Sequence, residues 1–312
     1  MGISHEHLPQ SMRGRDRMRT GIDHVILTRF NLPSVGVESI VRAQEGWLRT
    51  RVGLFEKYCL PSVLAQTNTN FRWLIYFDPE SPAWLRRVIE GHQRAGTFLP
   101  IFRQSVSHAE LVDDLRNATG AEGAELITSN LDNDDAVAID FVERIQDSVP
   151  GSSPRAAVYL SHGLIKSPDG LYFRIDRHNA FCSVRETWDE PKTCWLDWHD
   201  RLPKHMPAHL IGGEPAWLQV VHGTNVSNRV RGALTSPVPY QALFPSFLDD
   251  VPPPRIAEIA RDRFVARPLR SARESARFVV KHVAIALLGT KGFDSAKGLV
   301  ARSRRSSKKQ SA

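Results

Sequence analysis

The feature that most constrains this chain is the alternation of short apolar runs with amphipathic stretches across residues 24–146. His24-Val25-Ile26-Leu27-Thr28 reads as a strand, and a helical stretch follows around Trp47–Tyr58, where Trp47, Leu48, Val52, Phe55 and Cys59 recur at mostly three- and four-residue steps. Pro61 permits a further helical turn through Gln66, and Thr67-Asn68-Thr69-Asn70 is a turn by composition. Phe71–Phe77 is the next strand. Ser81-Pro82 then reads as an N-cap with proline at the first helical position, opening a helix to Gln93. Phe98–Gln104 is a third strand, His108–Thr119 a third helix, Glu125–Thr128 a fourth strand and Ala136–Gln146 a fourth helix. This order predicts an α/β fold with a mostly parallel sheet covered by helices on both faces.

The rest of the chain is less periodic. Val149–Pro154 is a breaker cluster and the expected boundary between residues 21–150 and 151–250. Ala156–Ser161 and Gly170–Ile175 read as a strand pair about Ser167-Pro168-Asp169-Gly170. The stretch from His178 to Val226 is rich in Trp, His and acidic residues and suits substrate contacts. Residues 251–312 form a basic helical extension ending in a polar tail. From Arg261 onward there are 14 Lys/Arg against 3 Asp/Glu, which leaves 27 against 31 for the remainder, so the body is mildly acidic and the positive charge belongs to the appendage. No basic surface on the body supports nucleic-acid binding. Residues 1–20 are polar, are expected to be disordered, and resemble neither a signal peptide nor a membrane anchor. Three cysteines without metal-ligand spacing suit a reduced, cytoplasmic setting.

Ligands of open parallel sheets bind where the strands end. Three polar groups fall there: Thr28-Arg29, Asp78 and Asp132-Asn133-Asp134-Asp135. Three carboxylates within four residues repel one another, and a divalent Mg or Mn ion resolves the conflict, because it prefers one or two carboxylates together with diphosphate oxygens. The competing explanation is an Asx-rich turn in which Asp135 caps a helix starting near Ala136. The strand before the cluster and the position at the fourth strand favour the metal.

These residues resemble a known family. Leu60–Thr67 with Phe71–Asp78 is similar to the early part of the GT-A glycosyltransferase fold, and Leu131–Ala136 resembles its Asp-x-Asp motif. With Thr28–Asn31 and Trp217–Asn225, the pattern resembles the rhamnosyltransferase family of bacterial polysaccharide loci over roughly Asp23 to Asn228. The resemblance implies a GT-A-like, Rossmann-type domain in which residues 21–150 bind the nucleotide-sugar and residues 151–250 serve the acceptor. It implies transfer of a sugar, rhamnose by analogy, from a dTDP-, UDP- or GDP-linked donor to a glycan or lipid-linked acceptor. By position, Thr28 and Arg29 would lie near the nucleotide, Asp78 near its base or ribose, Asp132 at ribose and metal, and Asp134 on the metal. His222 is either a metal or diphosphate contact or a structural histidine. Ser129-Asn130 stands where family members often carry Thr-Arg, removing a cation near the donor.

An inverting enzyme of this kind needs a carboxylate base. Asp197 and Asp200, within Trp195-Leu196-Asp197-Trp198-His199-Asp200, are the preferred candidates, since flanking tryptophans suit sugar stacking and an apolar wall raises a carboxyl pKa. Two other functions remain open. A nucleotidyltransferase would normally carry a Gly-rich loop after the first strand, where only Gly36 occurs, and a non-catalytic carbohydrate-binding protein leaves the acidic cluster unexplained. The basic amphipathic stretch Arg273–Leu288 would either lie on the inner face of an anionic membrane as a peripheral contact or pack on the body.

Overall fold

Val25, Ile26 and Leu27 are all buried although successive strand residues point to opposite faces, so the first strand must be covered on both sides. The computed structural model describes residues 21–33, 46–148, 153–222, 230–270 and 272, and shows how. Strand β1 (Ile22–Arg29) pairs in parallel with β2 (Arg72–Phe77) and β4 (Glu125–Asn130), and β2 pairs in parallel with β3 (Leu99–Phe102). Beyond β4 the sheet turns mixed. Strand β9 (Ser183–Thr187) runs antiparallel to both β4 and β6 (Arg155–Leu160), and β10 (Ala208–Ile211) pairs in parallel with β6. The order is β10-β6-β9-β4-β1-β2-β3.

Helices cover each face. On one side Ile26, Ile75 and Ile127 meet Phe55, Val63, Leu85, Ile89, Phe141 and Ile145. These come from α1 (Trp47–Leu54), its π-helical continuation Phe55–Cys59, α2 (Leu60–Leu64), α3 (Ala83–Arg94) and α5 (Phe141–Asp147). On the other, Val25, Leu27, Leu74 and Leu126 meet Leu111 and Leu115 of α4 (His108–Thr119). The ends of α4 match the sequence expectation because both carry strong local signals: a reciprocal Ser107–Glu110 capping box and Gly120 in the left-handed region at φ 79°.

Three local expectations differ. The Ala136–Gln146 helix is shorter: Ala136–Val137 forms β5, antiparallel to β11 (Trp217–Val220), and only Phe141 onward is helical. Asp135 is therefore no helix cap. The hairpin about Pro168-Asp169 joins β7 (His162–Ser167) to β8 (Gly170–Ile175), whereas Ala156–Leu160 belongs to the larger sheet. Ser81 does not cap α3. Pro82 takes that place, while the Ser81 hydroxyl donates to the Asp78 carbonyl and accepts from Asn31. A second sheet, β12-β8-β7-β11-β5 with β12 at Ala233–Thr235, packs beside the first.

The expected disordered segment 1–20, part of the 149–154 breaker cluster, Gly223–Asn225, the Arg273–Leu288 helix and the terminal tail lie outside the described residues. Among the described residues no helix is long and apolar enough to cross a membrane.

Trp217 ties the two sheets together. Its indole donates to the Leu160 carbonyl at 2.9 Å and stacks on Phe181 at 5.2 Å, against the backbone of Gly163. A Cβ at Gly163 would overlap that indole. Gly163→Ala is expected to lower stability by about 1–3 kcal/mol through forced displacement of Trp217, read as a lower urea midpoint with an unchanged denaturant slope.

Candidate active site

β1 has neighbours whose chain connections leave in opposite directions, β2 on one side and β4 on the other, and the crevice beyond the carboxyl ends of β1 and β4 is where such sheets bind ligands. Here that crevice is a cleft of about 630 Å³, reached by Arg29 at the end of β1, Asn130 at the end of β4 and Asp132 just beyond it. Its opposite wall comes from Trp195, Asp197 and Trp198. The two sides touch: the Arg29 guanidinium lies 4.2 Å above the Trp195 ring, and the Trp195 indole donates to Asn130 Oδ1 at 2.8 Å. An arginine seated over an indole keeps its full positive charge.

Below this surface the acidic loop is pinned residue by residue. Asn133 donates to the carbonyls of Arg29 and Phe30, at 3.0 and 2.7 Å, fastening the loop to the end of β1. Asp134 is buried and forms an ion pair with Arg51 of α1, while His222 Nε2 stands 3.0 Å from the same Oδ2. Burial raises the Asp134 carboxyl, but the His222 hydrogen bond and the Arg51 charge outweigh it and hold the group below its ordinary value. Asp135 Oδ1 accepts from the Val220 N–H at 2.8 Å, and its Oδ2 is buried with no hydrogen-bond partner. Burial, then the charges of Asp134 and Asp132, push Asp135 well above the usual carboxylate range. Asp132 alone of the three opens into the cleft. The crowded cleft floor, with Asp134 beneath it, raises its carboxyl too.

The other sequence candidates divide. Arg29 and Asp197 line the cleft. Thr28 does not reach it: the residue is buried, its Oγ1 accepting from the Trp73 indole at 3.0 Å. Asp78 ends β2 but spends its carboxylate on its own turn, accepting from the Glu80 N–H at 2.7 Å, and lies outside the cleft lining. Asp200 is exposed and also outside that lining. Asp197 accepts from the Trp198 N–H and from His205 Nε2 at 3.0 Å, and the His205 hydrogen bond pulls its carboxyl below the ordinary value instead of raising it. His222 meets Asp134 on the side facing a second cavity of about 860 Å³.

Two further contributors gave little signal in the sequence. Arg51 looks like the solvated face of a helix, yet it also donates to Asn133 Oδ1 at 3.2 Å and lies 5.0 Å over Trp47. Asp176 follows β8 and lines the cleft, paired with Arg174 at 2.8 Å, in a stretch without a motif.

With this geometry in view, a protein family described as "Putative rhamnosyl transferase" matches residues 23–234. The chain belongs to that family. The match takes in β1, the acidic loop, the Trp195–Asp197 wall, β11 and His222, and ends within β12. Among solved structures, S. aureus TarS 1-349 is 8% identical with a TM-score of 0.37, over 64% of this chain and 60% of that one. A putative nucleotide-diphospho-sugar transferase from Desulfovibrio desulfuricans is 9% identical with a TM-score of 0.32, over 64% and 81%. The inositol-1-phosphate CTP transferase from T. maritima is 8% identical with a TM-score of 0.35, over 74% and 98%. Likenesses this distant carry no functional argument. No curated protein sequence matches the chain.

Arg51 holds Asp134 in a nearly water-free setting, so removing it strands a buried charge. Arg51→Ala is expected to cost on the order of 3 kcal/mol in urea unfolding. The same substitution in an Asp134→Asn background is expected to cost clearly less, the signature of direct coupling.

Proposed function

We propose that the protein is an inverting glycosyltransferase that moves a sugar, rhamnose by the family's description, from a nucleoside-diphosphate donor to a hydroxyl of a glycan or lipid-linked acceptor, with a divalent Mg or Mn ion at the acidic loop. The observation that carries the reading is the Asp134–His222 pair. Mg²⁺ holds its ligands at about 2.0–2.1 Å in an octahedron, so neighbouring ligand atoms stand about 3 Å apart. Asp134 Oδ2 and His222 Nε2, hydrogen-bonded at 3.0 Å with Arg51 paired to the same oxygen, would exchange those contacts for the ion. The buried Oδ2 of Asp135, without a partner, marks an excess of acceptors over donors in the same loop. Among the described residues no three His, Cys, Asp or Glu side chains converge as a protein-only cage would require. An ion held there would take its remaining ligands from the donor's phosphates and water.

In this reading the bound ion supplies Lewis-acid stabilisation of the leaving diphosphate. The protein does the rest. Arg29, seated over Trp195, offers its charge to the phosphates, and exposed Trp198 gives the sugar an apolar face. Asp197, held ionised by His205, accepts the proton of the acceptor hydroxyl. The acceptor oxygen forms its bond to the anomeric carbon as the carbon–oxygen bond to the diphosphate breaks on the opposite side, and the nucleoside diphosphate departs with the bonding pair.

Calorimetry with dTDP, UDP and GDP, with Mn²⁺ and with chelator, tests the donor site. One nucleotide is expected to bind in the presence of Mn²⁺, with affinity lowered roughly 10- to 100-fold by chelator or by Asp134→Asn or His222→Ala. Absence of binding by any nucleotide would remove the reading's support.

A further inference from the structure

Helix α6 (Ile256–Arg261) continues through a π-helical turn, Asp262–Ala266, into helical residues 267–270, and it is built the opposite way round from an ordinary surface helix. Its central acid faces the body. Asp262 is buried, accepts from the Leu234 N–H at 2.9 Å and pairs with Arg270 at 2.8 Å, and Arg270 donates to the Gly232 carbonyl at 3.1 Å. Glu258, one turn earlier, pairs with Arg255. The row on the far side, at the same four-residue spacing, is Ile256, Ala260, Phe264 and Pro268, with Val265 and Leu269 beside it. Ile256 is 87% exposed, Phe264 73%, Val265 59% and Leu269 48%. Exposed Arg261, Arg263 and Arg267 flank that row.

We infer that this face is a docking surface for an anionic lipid bilayer. An apolar crest flanked by arginines, with Asp262 turned inward, fits the boundary between acyl chains and acidic headgroups: the crest enters and the guanidinium groups meet phosphate. Charge complementarity favours lipid over an acidic protein partner, because the apolar side chains gain only where water is excluded along the whole crest. The sequence beyond continues in kind, with 10 Lys/Arg against 2 Asp/Glu over residues 271–312. The start of the helix that carries this crest, at Arg255 and Glu258, also lines the 860 Å³ cavity that His222 borders.

The test is co-sedimentation of the full chain with vesicles of phosphatidylcholine and phosphatidylglycerol, against phosphatidylcholine alone. The wild type is expected to bind the anionic vesicles. An Ile256→Ser/Phe264→Ser/Leu269→Ser variant, with the basic tail intact, is expected to bind roughly tenfold more weakly with an unchanged melting temperature. Arg261→Gln/Arg263→Gln/Arg267→Gln should weaken binding while leaving the apolar crest in place. Failure of the wild type to bind would overturn the inference, as would serine-variant binding equal to wild type, which would assign binding to the tail alone. A wild-type dimer that the serine variant dissolves would make the face a contact between copies instead.

Discussion

The structure around the acidic loop depends on the neutralisation of one buried carboxylate, Asp134. Arg51 reaches it from α1 and His222 from the segment after β11, while the flanking residues fasten the loop to β1 through Asn133 and to β11 through Asp135. Three parts of the chain far apart in sequence meet at three consecutive residues, Asn133 to Asp135. A carboxylate buried there unpaired would cost several kcal/mol, so the positions of α1, the end of β1 and β11 are tied to its partners. The loop is thereby preorganised, with Asp132 presented to the cleft on a support that does not need to move.

The electrostatics of the cleft are arranged in depth. Beneath it, Asp135 is pushed well up and Asp134 held down, so neighbouring carboxylates differ in proton affinity by environment alone. Above it, Arg29 is spread over Trp195 and Asp197 is kept ionised by His205. Negative charge at the floor and positive charge at the rim suit a ligand that is a multiply charged anion accompanied by its own cation.

The fold of the first half was legible because its signals are local. The Ser107–Glu110 box and Gly120 fix α4 to the residue, and the apolar runs of β1, β2 and β4 have no amphipathic alternative. What could not be read depended on partners remote in sequence. Ala136-Val137 looks helical until β11 pairs with it, and Arg51 looks like a solvated helix face until Asp134 meets it. Thr28 and Asp78 stand at the right strand ends, yet hydrogen bonds from the Trp73 indole to Thr28 and from the Glu80 N–H to Asp78 engage the side chains that position alone would assign to the ligand. The apolar wall expected to raise Asp197 is present, but one histidine eight residues on decides the sign.

The central claim is that Asp134 and His222 share a metal ion with the donor's diphosphate. The most direct measurement is anomalous diffraction at the manganese edge from crystals grown with Mn²⁺ and a nucleoside diphosphate. A single anomalous peak is expected within direct coordination distance of both Asp134 and His222, with phosphate oxygens as further ligands. Bound nucleotide with no peak there, or with the Arg51–Asp134–His222 contacts intact and manganese elsewhere, would contradict it.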